Sequence, residues 1–208
     1  MSSISIIGSG NMASAIGALA LTGGNTVEIM SRDAAKAAAL ARSLGGGATV
    51  GTWGARPSGD IVILAVMFES AVQVASEYGD ALAGKIVIDI TNPFSPTGVG
   101  LAVPHDTSIA QLVAEVTPAS THVVKAFNTL FRDVLASGGP RDVFMAADDA
   151  TVKASVAAFI TSLGHRPRDV GDLSMAHWLE GASLLEMGLA QNGLGFSLSL
   201  GVDLPGEK

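Results

Sequence analysis

The sequence of 208 residues predicts a doubly wound α/β fold with a mostly parallel sheet and a small C-terminal helical part. Strand-like apolar runs alternate with alanine-rich helical segments, and this alternation is the signature of a parallel sheet. Some runs are continuously apolar, as over residues 61–66, which is typical of strands buried on both faces. A glycine-rich turn also follows the first apolar run directly, as expected for a tight strand-to-helix connection.

The N-terminal elements form a predicted βαβ unit of about 30 residues. Its strands are predicted at Ser3–Ile7 and Thr26–Met30, and the helix between them covers residues 11–21, where Ala, Met and Leu favour a helix. Residues 22–25 supply the turn before the second strand. Asp33 then caps a second helix, which a run of glycines ends.

The remaining elements continue the alternation. The predicted strands cover residues 48–51, 61–66, 85–90, 122–126, 142–146 and 166–170. The predicted helices cover residues 33–44, 69–78, 109–115, 150–163 and 173–191. We therefore expect a sheet domain over residues 1–170, followed by a helical cap or dimerisation segment over residues 171–208.

The turn after the first strand fits the pattern G-x-G-x-x-A over residues 8–13. Its first glycine allows a sharp turn, its second allows the backbone to approach a pyrophosphate, and Ala13 keeps the helix close to the strand. Unpaired N–H groups at the helix start would face the phosphates. The predicted ligands of a dinucleotide are Gly8, Ser9, Gly10, Asn11 and Met12. The alternative is a glycine-rich turn without a ligand, since the chain has 25 glycines.

The tip of the second strand predicts which dinucleotide binds. An NAD-binding unit usually has an acid there for the ribose 2′-hydroxyl, whereas this chain has Ser31 and Arg32. Together with Lys36, one helical turn later, they can donate hydrogen bonds to a 2′-phosphate. Glu28 is the nearby acid, but it lies inside the strand. We expect NADP(H); the alternative is that Arg32 and Lys36 only make the helix more soluble.

Other strand ends complete the predicted cleft, because ligands of doubly wound sheets bind outside the carboxyl ends of the strands. Small and apolar groups there can flank a nicotinamide, and two asparagines can orient polar groups. The residues are Ala65, Val66, Met67, Thr91, Asn92, Pro93, Ala126, Phe127 and Asn128. Ordinary turn chemistry is the alternative for the asparagines, since Asn-Pro is a common turn former.

Four motifs occur along the chain in an order that is typical of one enzyme family. They are Gly-Ser-Gly-Asn-Met at residues 8–12, Ser-Arg at 31–32, Asp-Ile-Thr-Asn-Pro at 89–93 and Val-Val-Lys-Ala-Phe-Asn-Thr at 123–129. With them the chain resembles the NADPH:coenzyme F420 oxidoreductases. It is also similar to the cytosolic reductase domain of the six-transmembrane epithelial-antigen ferric reductases, although its length and C-terminal helix are closer to the free-standing enzymes.

The resemblance implies a Rossmann domain with NADP(H) in the cleft, coenzyme F420 as the second substrate, and a homodimer. It implies pyrophosphate contacts from residues 9–12, 2′-phosphate contacts from Ser31, Arg32 and Lys36, and a nicotinamide bordered by Ala65, Val66 and Ala126. Ala13 departs from the glycine that is common in the motif. No residue of the chain is matched to the second cofactor.

Composition excludes several classes of protein. A hydrophobic share of 48% excludes a disordered chain, and a formal net charge of -7 argues against a nucleic-acid-binding protein. Without cysteine, no disulfide, thiol nucleophile or iron–sulfur cluster is expected. No signal-peptide core follows Met1, and the apolar stretches are too short to span a membrane, so we expect a cytoplasmic protein without membrane contacts.

The sequence predicts an oxidoreductase that transfers a hydride between NADP(H) and coenzyme F420. No catalytic side chain or metal site is expected, because hydride can pass directly between two stacked rings. The histidines are scattered and match no metal-binding pattern: His105, His122, His165 and His177. One alternative is an NADPH-dependent flavin, ferric or imine-type reductase that acts on another small-molecule acceptor. The other alternative is a non-catalytic NADP(H)-binding sensor or assembly subunit.

Overall fold

The structure, a computed structural model, describes residues 1–96 and 100–203, and these form one mostly parallel sheet flanked by helices. Strands β1 to β8 are Ser3–Ile7, Thr26–Met30, Thr49–Val50, Ile61–Leu64, Ile86–Asp89, His122–Ala126, Asp142–Ala146 and Arg166–Asp169. Helices α1 to α7 are Asn11–Thr22, Ala34–Leu44, Phe68–Tyr78, Ile109–Val116, Arg132–Ala136, Ala150–Ser162 and Ala176–Leu189. The predicted doubly wound α/β fold is confirmed.

The strands lie in the order β3-β2-β1-β4-β5-β6-β7-β8. Each neighbouring pair from β3 to β6 is parallel, and the order of these six strands is that of a Rossmann fold. Strand β7 runs antiparallel to β6, and β8 runs parallel to β7. The winding direction changes between β1 and β4, so a crevice is expected at the carboxyl ends of these two strands.

Two apolar cores hold the helices on the two faces of the sheet. One contains Ile6, Ile63 and Phe159 with the apolar faces of α1, α2 and α6, and the other contains Leu64 and Val113 with α3 and α4. All four residues of β4 are buried, as the continuous apolar run predicts. Each fully buried aliphatic side chain contributes about 1.5–3 kcal/mol relative to an exposed one, so the central strands are the most stable frame for a site.

Some elements differ from the sequence prediction at their boundaries. Strand β4 ends at Leu64, two residues early, and α7 is preceded by a 3-10 turn at Leu173–Met175 and followed by a π-type turn at Ala190–Leu194. Helix α5 was not predicted, because five residues that begin with an Arg-Asp pair show no helical periodicity. Residues 204–208 of the predicted C-terminal segment lie outside the described residues. Within residues 1–96 and 100–203, no helix is long and apolar enough to cross a membrane.

Candidate cofactor-binding site

The turn between β1 and α1 has the geometry that a pyrophosphate site requires. Gly8 has φ +130°, and a Cβ at this position would lie 2.1 Å from the carbonyl oxygen of Ala65. Its N–H donates a 2.8 Å hydrogen bond to the carbonyl of Met30. By contrast, a Cβ on Gly10 would meet no protein atom within 4 Å. The first glycine is thus fixed by backbone packing, and the second borders open space where a phosphate fits.

Helix α1 presents its N-terminus to that open space. Gly10 is the N-cap residue and supplies no side-chain cap, and the first turn contains no acidic residue. In contrast, Asp33 caps α2 by accepting hydrogen bonds from the N–H groups of Ala35 and Lys36. An uncapped helix start with unpaired N–H groups and a positive dipole end favours an anion. The predicted role of residues 9–12 therefore agrees with the local geometry.

A polar corner lies at the tip of β2. Ser9 Oγ donates a 3.2 Å hydrogen bond to Ser31 Oγ, which ties the glycine turn to this corner. The Arg32 guanidinium carbon lies 5.4 Å from the ring centroid of Trp53, a cation–π contact. Lys36 is exposed and only 3.9 Å from the Asp33 carboxylate, a weak surface pair. The corner therefore offers two cations, of which Arg32 is held in place by an aromatic ring.

Trp53 is a site residue that the sequence analysis missed. It lies in the irregular segment between β3 and β4, where no motif marks it. Its ring packs edge-on against Tyr78 with 5.4 Å between centroids, so it is fixed from behind by a core residue. Glu28 does not reach this corner, because its carboxylate accepts hydrogen bonds from Ser5 Oγ and the Ser58 N–H. The nearest acid inside β2 thus cannot bind a ribose hydroxyl.

A single cavity of about 690 Å³ joins these features along the carboxyl ends of the strands. We call it the cofactor cavity. It is lined by Gly8, Ser9, Gly10, Asn11, Met12, Ser31, Arg32, Lys36, Trp53, Ala65, Val66, Met67, Phe68, Ser70, Ile90, Thr91 and Asn92. Three of the five predicted groups of residues are therefore brought together in full, namely the glycine turn, the β2 tip and the end of β4, along with two of the three residues predicted after β5.

Four predicted site residues do not line the cofactor cavity. Pro93 and Ala126 are buried and border neither this cavity nor its neighbour. Phe127 and Asn128 border an adjoining cavity of about 220 Å³, which shares Met12, Ile90 and Asn92 with the cofactor cavity. We call this the phenylalanine cavity, because Phe94, Phe127 and Phe131 contribute to its wall. Its polar lining residues include Ser183 and Glu186 of α7.

The strand ends at the phenylalanine cavity are held by a polar network. Asn92 Nδ2 donates to the Asn128 carbonyl at 2.8 Å, and Asn128 Nδ2 donates to Asn92 Oδ1 at 3.0 Å. Ser183 Oγ also donates to the Asn128 carbonyl at 2.8 Å, which ties α7 to the end of β6. Among the described residues, Phe127 is the only non-glycine residue with positive φ, at 62°. Such conformations cost roughly 1–3 kcal/mol and concentrate at functional sites.

A buried ion cluster attaches α7 to the sheet below this network. Lys125 Nζ lies 2.8 Å from Asp89 Oδ2 and 2.7 Å from Glu180 Oε1, and all three side chains are fully buried. It also donates to the Thr91 carbonyl at 2.5 Å. Burial raises the pKa of Glu180, against the opposing effect of the Lys125 ammonium. The cluster fixes the helix that carries the wall of the phenylalanine cavity.

Glu186 is a second acid on α7 that the sequence analysis missed. It is 2% exposed, and Oε1 has no hydrogen-bond partner among the residues that the structure describes. Burial raises its pKa to about 7, and the Leu200 N–H only partly offsets this effect by hydrogen bonding to the carboxylate. In the sequence, the signal was two acids six residues apart on an otherwise apolar helix. Periodicity alone does not show that both face inward.

The histidines lie away from both cavities. His177 Nδ1 is 2.9 Å from the Thr107 carbonyl, and its ring packs edge-on against Trp178. His165 is buried, and its Nδ1 accepts a hydrogen bond from the Arg141 N–H at 3.3 Å. Burial lowers the pKa of His165. His105 and His122 are exposed. None of the four histidines lines the cofactor cavity or the phenylalanine cavity.

Comparison with known proteins confirms the predicted resemblance. Residues 3–93 match the family described as NADP oxidoreductase, coenzyme F420-dependent. Metalloreductase STEAP3 of Rattus norvegicus is 31% identical over 184 residues, which cover 87% of this chain and 36% of that protein. The F420-dependent NADP reductase of Methanocaldococcus jannaschii is 31% identical over 144 residues, 65% of this chain and 64% of that protein. The chain thus spans less than two thirds of either relative.

A solved structure extends the similarity to the whole fold. The putative F420-dependent NADP reductase from Arthrobacter sp. FB24 superimposes with a TM-score of 0.84. The match covers 97% of this chain and 99% of that one at 23% sequence identity. At this identity the likeness establishes the fold, including the helical C-terminal part.

Proposed function

We propose that the protein transfers a hydride between NADP(H) and coenzyme F420, and the match of residues 3–93 to the family described as NADP oxidoreductase, coenzyme F420-dependent, supports this. NADPH, when bound, supplies the hydride from C4 of its nicotinamide to C5 of the deazaflavin. The observation that carries the proposal is the continuity of the site. One end has an arginine stacked on Trp53, and the other end joins a second, aromatic-lined cavity.

The residues of the cofactor cavity would divide the work of holding NADP(H). The N–H groups of residues 9–12 would bind the pyrophosphate, because the helix start is uncapped. Ser31, Arg32 and Lys36 would bind the 2′-phosphate. The nicotinamide would lie against Ala65, Val66 and Met67 on one side and Thr91 and Asn92 on the other. Pro93, Ala126 and Phe127 would support this end from within the fold.

The phenylalanine cavity would hold the reacting ring of the acceptor. Its aromatic wall suits a flat, conjugated ring, because offset and edge-on contacts between rings are favourable by about 0.5–1.5 kcal/mol. Met12, Ile90 and Asn92 border both cavities, so two rings bound there would be neighbours. The chain's contribution to hydride transfer would then be to fix the two rings and to exclude water.

The test is a panel of acceptors offered to the purified protein with NADPH. We expect loss of the oxidised F420 absorbance, together with NADPH oxidation in a one-to-one ratio. Omission of either cofactor and the Arg32→Ala variant serve as controls. Tight NADPH binding without oxidation by any acceptor would contradict the proposal and favour an NADP(H) sensor.

A second candidate is a flavin or ferric reductase. It is favoured by the 31% identity to metalloreductase STEAP3, which extends over 87% of this chain. The same panel separates the two, because reduction of FMN, FAD or ferric chelates without any reduction of F420 would select the second candidate. An imine in the panel tests the remaining type of acceptor.

We also propose that residues 171–208 form a cap and dimerisation segment. Several large apolar side chains near the chain's end are exposed: Trp178, Leu185, Leu189, Leu194 and Phe196. Exposed apolar residues are normally scattered singly over a protein surface, whereas these five are concentrated on α7 and the segment that follows it. Such a concentration marks an interaction surface. Sedimentation of the wild type and of Leu185→Glu tests this. We expect a dimer that the substitution dissociates, and a wild-type monomer would contradict the proposal.

A further inference from the structure

The wall of the phenylalanine cavity contains a buried acid that hydride transfer alone does not need. Glu186 is 2% exposed and projects from α7 into a wall otherwise formed mainly by aromatic and aliphatic groups. Its Oε1 has no partner within the described part of the chain. A buried carboxyl oxygen that lacks a hydrogen-bond partner destabilises the fold, so a purely structural position would favour an apolar residue instead.

The segment that contacts Glu186 is anchored independently. Leu200, whose N–H hydrogen-bonds to the carboxylate, follows Ser199, which bridges to Leu130. Two residues further on, the Val202 N–H donates a 2.6 Å hydrogen bond to Asp142. This segment thus contacts the carboxylate from outside the cavity, and Oε1 has no hydrogen-bond partner among the residues that the structure describes.

The charges around Glu186 leave it able to exchange a proton near neutral pH. Among the described residues, Arg132 of α5 is the other charged residue in the cavity wall, and its guanidinium pairs with the Asp133 carboxylate at 2.7 Å. On its own helix, Glu180 is committed to Lys125 and to the Ile109 N–H. Burial raises the pKa of Glu186 to about 7, which is the range where a general acid is most effective.

We propose that Glu186 is the proton donor to the acceptor, and that the acceptor is a compound with a C=N group, alone or conjugated. This inference rests on the proposed function. The C4–H electron pair of NADPH forms a C–H bond on the acceptor carbon, and the π electron pair moves to the acceptor nitrogen. The nitrogen takes the proton from the Glu186 carboxyl group, which is then reprotonated by water. The products are NADP⁺ and an acceptor that has gained two electrons and two protons, which is the sum of one hydride on carbon and one proton on nitrogen.

The chemistry is shared by a deazaflavin and by an imine, and the experiment distinguishes them. Wild type, Glu186→Gln and the exposed control Glu115→Gln are each mixed with NADPH and either F420 or a cyclic imine in single-turnover assays from about pH 5 to about pH 9. The amide is isosteric with the protonated acid, so the fold and the NADPH dissociation constant should be unchanged.

We expect the wild-type rate to fall tenfold per pH unit above about pH 7 with one of the two acceptors. Glu186→Gln should be slower by about 100-fold or more, with no such pH dependence, and Glu115→Gln should match the wild type. A Glu186→Gln variant with the wild-type rate and pH profile would overturn the inference.

A second readout does not depend on turnover. The side-chain carboxyl of Glu186 is followed by carbon-13 NMR and assigned as the resonance that Glu186→Gln removes. We expect it to titrate near pH 7 and to shift when NADP⁺ and the acceptor are added together. If the wild type reduces neither acceptor, the proposed function and the inference both fail. If the wild type reduces one acceptor but the Glu186 resonance does not shift when that acceptor is added with NADP⁺, the inference alone is overturned.

Discussion

Replacement of Arg32 by alanine is the sharpest test of the cofactor preference. The guanidinium lies at the tip of β2, stacked on Trp53, and it lines the cofactor cavity. A charge-assisted hydrogen bond to a 2′-phosphate contributes about 1.5–3 kcal/mol. Its loss would weaken NADPH binding by about 10- to 150-fold.

NADH has no 2′-phosphate, so its binding would lose only the packing of the guanidinium and the ring. A surface cation–π contact is worth about 0.5–1 kcal/mol, which corresponds to about 2- to 5-fold. Titration calorimetry with both nucleotides measures the two losses. Arg42→Ala, an exposed residue near the other end of α2, is the matched control and should change neither constant. Equal losses for NADPH and NADH would refute the proposal that the polar corner at the tip of β2 binds the 2′-phosphate.

Three further predictions concern stability and are measured by urea unfolding. Lys125→Met should destabilise the fold by about 3–5 kcal/mol, because two buried carboxylates lose their counter-ion; Lys153→Met, whose partner is half exposed, should cost about 1 kcal/mol or less, and equal effects would contradict the burial argument. Gly8→Ala should lower the free energy of unfolding by about 1–3 kcal/mol more than Gly84→Ala does. Both glycines have positive φ, but only a Cβ on Gly8 would clash with the backbone of another residue. Similar losses for the two variants would contradict this. The pKa of Glu186 is raised from 4.5 to about 7 in the folded protein. The stabilisation that goes with its neutral form is therefore fully present below pH 4.5, the pKa in the unfolded chain, and is lost as the pH rises through 7. Glu186→Gln should therefore gain up to about 3 kcal/mol relative to wild type between pH 4 and pH 9, and a pH-independent difference would contradict the raised pKa.

The N-terminal half of the site could be predicted from the sequence because its signals are local. Gly8 needs its positive φ for the three-residue turn between β1 and α1, Asp33 caps the helix that begins at the next residue, and the β4 run is apolar throughout. Each of these depends on neighbours within a few positions. The same holds for Arg32, whose place at a strand tip follows from the βαβ unit.

The other wall of the site depends on contacts between distant parts of the chain. Trp53 contacts Arg32 in the polar corner at the tip of β2 from an irregular segment. Glu186 lines the phenylalanine cavity because the ion pair between Lys125 and Glu180 fixes α7 against β6. In the sequence, a lysine in an apolar strand such as Lys125 suggests an exposed position at the edge of the sheet. Its partner Glu180 lies 55 residues further along the chain, so no local pattern shows that both are buried. The reversed direction of β7 likewise follows from how residues 127–141 fold, which periodicity does not encode.

The proposed hydride transfer is tested most directly by isotope tracing. NADPH deuterated at C4 is mixed with oxidised F420 and the protein in ordinary water, and the reduced F420 is analysed by mass spectrometry. Direct transfer between rings held in the two cavities predicts that the deuterium appears on C5 of the deazaflavin without dilution by solvent hydrogen. No deuterium in F420, while NADPH binds tightly, would contradict the account.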